Sequence, residues 1–359
     1  MEREPTLLHG TQARKEENML NSKPQPKIAV IGAGAIGSLI GGLLAHAGED
    51  ITLIARKAHV EAVRAKGLII EGVLGTLVIP IKVSEALDFR PDLVLLAVKT
   101  QDVETTCRQI KAHVQDTPIV TLQNGVRSDD IVASLLPEKN ILSGVVMLNS
   151  QFLEPGKITY ARRGSLIIGE AFGRNGQRVR DIKALLNRAI PTTISDNIRG
   201  VHWTKLLVNN LANGLEAMTG QSIKECMHNA GLRNISILTL KEGYRVIEKG
   251  EFHLAPLPGV PAPLIRFITR SPVQVAAGML RLAMGSSNTL SSTLQSLRRG
   301  RPTEIDYLNG EFVNLGRKVG LPTPYNSRVV EIVKGVETNH KFHSPDELIS
   351  LFPSSRTTS

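Results

Sequence analysis

From Lys27 onward the apolar positions come in short unbroken runs rather than singly. Lys27-Ile-Ala-Val-Ile31 is one such run, followed by a glycine-rich turn, a helical stretch to about Ala47 and a second run, Asp50-Ile-Thr-Leu-Ile54. Continuous apolar runs separated by helix-length segments predict parallel strands covered on both faces. Further strands are predicted at Leu68 to Ile70, Leu77 to Ile81, Leu93 to Val98, Ile119 to Leu122 and Ile141 to Leu148. Residues 151 to 170 read as a β-hairpin turning at Glu154-Pro-Gly-Lys157, and Val179 to Ala189 as a helix ending before Pro191. Past about Ser195 the strand signals stop. Helical stretches follow at 200–218, 221–229, 231–250, 264–284, 287–298 and 303–319, interrupted by a loop at 251–263 that carries Pro256, Pro258, Pro261 and Pro263.

The segment from Ile28 to Gly48 holds no Asp, Glu, Lys or Arg over 21 residues, enough length for a membrane span. Glycines at 32, 34, 37, 41, 42 and 48 fit a tight turn and a closely packed helix instead, so no membrane partner is expected. Gly32-Ala33-Gly34-Ala35-Ile36-Gly37 is G-x-G-x-x-G placed after a strand and at the opening of a helix, the context in which it binds a dinucleotide pyrophosphate, the alternative being a packing turn with no ligand. The second strand ends Leu53-Ile-Ala-Arg56-Lys57, with no carboxylate for the ribose of NAD. Arg56 and Lys57 suit the 2′-phosphate of NADP, or are ordinary surface bases. Two more strand-end loops carry Lys99 and Asn124, in Val98-Lys99-Thr-Gln-Asp102 and Gln123-Asn124-Gly125, near the expected nicotinamide end. The predicted fold class is therefore α/β: a flexible tail 1–26, a Rossmann-type parallel-sheet NADP-binding domain 27–195, an all-helical domain 196–338 and a polar C-terminal tail 339–359 that frays.

The length of 359 residues suits two domains, and the 42% hydrophobic and 21% charged content suits a folded protein. A net charge of +10 raises the question of nucleic acid. The bases are scattered except for Arg298, Arg299 and Arg301, and 4% aromatics is poor material for base stacking, so an anionic cofactor explains the balance better. Cys107 and Cys226 are too few and too far apart for a disulfide framework or a cysteine zinc site, which implies a reducing, cytoplasmic setting. The first 26 residues match neither a secretory signal nor an acid-poor transit peptide.

In the helical half, Lys205, Asn209 and Asn213 recur every fourth residue and would form one polar stripe on a helix, facing either a ligand or solvent. Downstream, Ser291-Ser292-Thr-Leu-Gln295 precedes Arg301-Pro-Thr-Glu304-Ile-Asp306-Tyr-Leu-Asn309-Gly310. Pro302 and Thr303 suit a helix start, so Glu304 and Asp306 are equally candidates for capping and for catalysis.

Together these motifs resemble the ketopantoate reductase (2-dehydropantoate 2-reductase) family over about residues 27–335. The resemblance implies NADPH-dependent reduction of 2-dehydropantoate to pantoate, on the way to pantothenate and coenzyme A. It makes Lys205 the proton donor, gives Asn209, Asn213, Ser292 and Asn124 to the substrate, and puts Glu304 beside the ribose and the lysine. Gly32 to Gly37, Arg56, Lys99, Asn124 and Glu304 would contact NADPH. The departures are Gly214, where the family often has Pro or Ala, Ser296, where an acid is common, and the longer segment 251–284. They leave open a reductase of another, bulkier 2-oxo acid, or a non-catalytic NADP-sensing protein. The apolar stretch 264–284 is also a candidate interface for a homo-oligomer.

Overall fold

The structure, a computed structural model, describes residues 25–284 and 290–353. Most of the tail expected at 1–26, and the start of the helix expected at 287, lie outside the described residues.

The first half runs β1 (Lys27–Ile31), α1 (Ala35–His46), β2 (Asp50–Ile54), α2 (Lys57–Lys66), β3 (Leu68–Gly72), β4 (Leu77–Ile79), β5 (Lys82–Ser84), β6 (Leu93–Leu96), α3 (Val103–Ile110), β7 (Ile119–Thr121) and α4 (Ser128–Ala133). It continues with β8 (Ile141–Val146), β9 (Asn149–Glu154), β10 (Lys157–Arg162), β11 (Leu166–Glu170), α5 (Gln177–Leu186) and β12 (Thr192–Ile194). Eight strands form one sheet in the order β12-β11-β8-β7-β6-β1-β2-β5, parallel except where β11 meets β8. A second sheet, β4-β3-β10-β9, takes the apolar runs at 68 and 77 together with the hairpin that turns at 154–157.

Helix α1 lies between the two sheets, and this accounts for its glycines. A Cβ on Gly41 would sit 2.6 Å from Leu53 Cδ2 of the large sheet, and one on Gly42 would sit 2.7 Å from Leu68 Cδ2 of the small sheet. Side chains at either position would force the layers apart. No helix among the described residues is long and apolar enough to cross a membrane.

The second half is α6 (Ile198–Asn210), α7 (Asn213–Thr219), α8 (Ile223–His228), α9 (Ala230–Lys249), α10 (Ala262–Arg270), α11 (Val273–Met284), α12 (Ser292–Arg298), α13 (Asn309–Val319), α14 (Pro324–Asn339) and α15 (Pro345–Ser350). Around α9 they bury one core that includes Trp203, Leu207, Ile237 and Phe312. The stretch expected as one helix from 264 to 284 is two, split at Ser271-Pro272. Phe267, Val275 and Leu282 are exposed on it.

The C-terminal tail is also corrected, because residues 345–350 form a helix with a Ser344/Glu347 capping box. Leu348 is fully buried, Phe352 stacks on Tyr325, and Tyr325 donates to the Pro353 carbonyl at 3.1 Å. Leu348→Ala is therefore expected to destabilise the protein by about 2–5 kcal/mol in denaturant unfolding; a change near zero would mean that this segment does not dock.

Candidate active site

The glycine turn is tied to the end of β2, since the amides of Gly32 and Ala33 both donate to the Ile54 carbonyl. A Cβ on Gly37 would lie 2.3 Å from the Gly32 carbonyl oxygen, so helix and turn meet there without room for a side chain. A Cβ on Gly34 would meet nothing within 4 Å. The turn is thus tight where protein lies behind it and open where a pyrophosphate would approach, which fits a dinucleotide. Arg56, two residues beyond Ile54, is exposed and has no ion pair among the described residues, whereas Lys57 lies 4.0 Å from Glu61.

Sequence reasoning missed the support behind this turn. His59 is buried, accepts from the Gly156 amide at Nδ1 and, through Nε2, donates to Ser38 Oγ at 3.2 Å. Ser38 in turn donates to the Ala33 carbonyl at 3.0 Å. Burial lowers the His59 pKa, which suits the neutral imidazole that this chain of bonds requires.

At the other end, Lys205 on α6 donates from Nζ to Asn124 Oδ1 at 2.8 Å and to the Val146 carbonyl at 2.7 Å. The residue is half-buried. Desolvation of its ammonium pushes the pKa down to about 8, against the attraction of Glu304. Glu304 does not cap a helix, since it precedes only a short 3₁₀ turn, Ile305–Tyr307, before α13 begins at Asn309. Its Oε1 accepts instead from the Thr100 amide at 3.2 Å, across the domain junction. Asp306 forms an exposed ion pair with Lys334 at 2.7 Å. Lys99 donates to the Pro302 carbonyl at 2.9 Å, two residues before Glu304. The junction is further closed by the 2.7 Å ion pair of Arg127 with the buried Glu311 and by Gly125, which lies against the Tyr307 carbonyl.

The polar stripe is only partly as expected. Its single helix from 200 to 218 is broken at Leu211-Ala212, so Asn209 belongs to the end of α6 and Asn213 opens α7. Asn209 is half-buried and Asn213 buried, and among the described residues neither amide side chain has a hydrogen-bond partner. The break is secured by Ser236 Oγ donating to the Leu211 carbonyl and by a buried cluster of Asn210, Asn309 and Asn326. Ser292 is exposed at the first turn of α12, where Ser291 is the cap. No hydrogen bond among the described residues joins Ser292 to Lys205.

Two of the departures in sequence are structural compensations. A Cβ on Gly214 would come within 2.7 Å of Val329 Cγ1, so valine occupies the space that a side chain at 214 would need. The proline loop packs Ala255 and Leu257 against Val145, Ile167, Ile198 and Val201, and Thr204 Oγ1 donates to the Ala255 carbonyl at 2.7 Å. It buttresses α6.

Residues 28–173 match the family described as ketopantoate reductase PanE/ApbA, and residues 197–337 match its C-terminal part, ketopantoate reductase PanE/ApbA C terminal. A 2-dehydropantoate 2-reductase of Pyrococcus horikoshii is 33% identical over 316 residues, which cover 87% of this chain and 98% of that protein. Among solved structures, a PanE/ApbA family ketopantoate reductase from Ralstonia eutropha JMP134 superposes with a TM-score of 0.74 at 30% identity, covering 87% of this chain and 99% of that one. D-mandelate dehydrogenase with NADH and anilino(oxo)acetate gives a TM-score of 0.77 at 24% identity, covering 87% and 99%, a likeness of fold. With both halves of the chain matched and a relative at this identity over nearly its whole length, the chain belongs to the ketopantoate reductase family.

Proposed function

We propose that the protein is an NADPH-dependent 2-dehydropantoate 2-reductase, forming pantoate for pantothenate and coenzyme A, with Lys205 as the proton donor. Membership of the family implies a nicotinamide cofactor, and the open glycine turn fits its pyrophosphate. Gly32 to Gly37 would hold the pyrophosphate and the exposed Arg56 guanidinium the 2′-phosphate, while Lys99, Asn124 and Glu304 would face the nicotinamide half. When bound, the reduced cofactor supplies a hydride to the C2 ketone.

The remaining chemistry belongs to the protein. As negative charge grows on the ketone oxygen, an ammonium aimed at it stabilises the charge and then delivers the proton. The observation that carries this reading is the Lys205 contact with Asn124 Oδ1 and the Val146 carbonyl, which fixes the ammonium at the domain junction. Two neutral oxygens hold the group without neutralising it, and the lowered pKa makes proton release easier than from a free lysine. Glu304 attracts the ammonium and so organises it. Asn209, Asn213 and Ser292 are the neutral groups left for the substrate carboxylate and terminal hydroxyl.

Several outcomes are expected from NADPH oxidation assays. Lys205→Ala should lower kcat by roughly 10² to 10⁴ with little change in NADPH binding; wild-type turnover would refute the proton-donor role. In the unmodified enzyme, kcat/KM should hold steady below pH 8 and fall above about 8, because the acid must be protonated. Arg56→Ala should raise KM for NADPH about 10- to 100-fold and leave NADH nearly unaffected, the worth of a charge-assisted contact; equal efficiency of the parent enzyme with both cofactors would contradict NADPH preference. Dehydropantoate should exceed 2-oxoisovalerate, which lacks the hydroxymethyl group, by about 5- to 150-fold in kcat/KM, because a buried amide would lose its partner. If 2-oxoisovalerate or a larger 2-oxo acid matched it, the enzyme would be a reductase of that acid; if none turned over, a cofactor-sensing role would remain.

A further inference from the structure

One turn before Lys205, on the same side of α6, His202 is buried and makes a parallel pair of contacts. Its Nδ1 donates to the Gly125 carbonyl at 2.8 Å, and its Nε2 accepts from Ser143 Oγ at 2.7 Å. Lys205 joins the same two pieces of chain, Asn124 in the loop after β7 and Val146 at the end of β8. Two successive turns of one helix therefore clamp the same strand and the same loop, one through a neutral imidazole and one through an ammonium.

The geometry dictates the tautomer. A carbonyl can only accept, so the proton is on Nδ1, and Nε2 is the acceptor for the serine hydroxyl. Burial lowers the imidazole's pKa, Lys205 and Arg199 lower it further, and Asp129 and the Gly125 carbonyl oppose them. A neutral ring adds no second positive charge beside Lys205. Gly125 has φ of +92°, and its open side is closed by the Tyr307 carbonyl, 2.6 Å from where a Cβ would be. His202 thus holds the Gly125–Val126 peptide while the Tyr307 carbonyl closes on the Gly125 Cα, so the residue next to Asn124 is held at two points.

We propose that His202 is a positioning residue for the reductase reaction: it pins the Gly125 carbonyl so that Asn124 Oδ1 is held against the Lys205 ammonium. The kinetic part of this inference rests on Lys205 as the proton donor; the structural part does not. His202→Leu keeps the bulk and removes both ring nitrogens, His202→Asn restores a donor near the Nδ1 position, and Ser143→Ala removes only the partner of Nε2.

Steady-state kinetics and hydrogen exchange on the ligand-free proteins test it together. His202→Leu should lower kcat about 10- to 100-fold with KM for NADPH nearly unchanged, the cost of a misplaced reacting group. Exchange should quicken in the peptide spanning 123–127 and not in the glycine turn. His202→Asn should recover most of the lost kcat and the slow exchange, and Ser143→Ala should lose less of both than His202→Leu. Wild-type kcat and exchange in His202→Leu, or a His202→Asn enzyme as impaired as His202→Leu, would overturn the inference. Should His202→Leu fail to fold, His202→Asn alone decides, since its donor must preserve kcat. If the parent protein reduced no 2-oxo acid, the proposed function would fall while the exchange comparison still judged the clamp.

Discussion

Everything at this site depends on holding a lysine ammonium out of water without giving it a paired charge. An isolated buried cation is costly, and a direct carboxylate partner would make it hold its proton too tightly for the acid role proposed for it. The structure supplies the amide oxygen of Asn124 and the carbonyl of Val146 as first neighbours, and keeps Glu304 as an attraction whose own hydrogen bonds go to Thr100. The compromise costs stability. With a folded pKa near 8, below the usual lysine value, the unfolded chain binds the extra proton between those two values. The residue thus detracts from stability below pH 8, and the penalty fades as pH rises through that window.

The two domains divide the work according to what each can make rigid. The sheet domain offers strand ends and a glycine turn backed by α1, itself fixed between two sheets and braced by the Gly156–His59–Ser38–Ala33 chain of bonds. The helical domain offers side chains at set angular intervals, and the α6/α7 break changes those angles between Asn209 and Asn213. Glu304, Arg127 with Glu311, and Lys99 with Pro302 bind the halves together at the same place. The groups that would face cofactor and substrate therefore lie where the domains meet.

What could be read from the sequence was mostly local. The glycine turn, the strand ends with Arg56, Lys99 and Asn124, and the hairpin turn at 154–157 each depend on a few adjacent residues. The second sheet was not legible, because β3 pairs in parallel with β10 across some ninety residues and its apolar run looks like any other strand. Nor was the break at Leu211-Ala212, where both residues are good helix formers and the cause lies in Ser236 and the Asn210–Asn309–Asn326 cluster. Glu304 could be placed near the start of a helix but not across the junction from Thr100. His202 gave no periodic signal, and its meaning appears only once β8 and the Gly125 loop lie beside it. The C-terminal helix was different: Ser344-Pro-Asp-Glu347 carries a capping box that marks a helix start.

The most direct test of the central claim is the ionisation of Lys205 itself, followed by NMR of the ¹⁵N-labelled lysine side chains in the ligand-free protein and assigned with Lys205→Arg. The account predicts one lysine titrating near pH 8, well apart from the others. A Lys205 resonance that titrates with the surface lysines, at about 10.4, would contradict it.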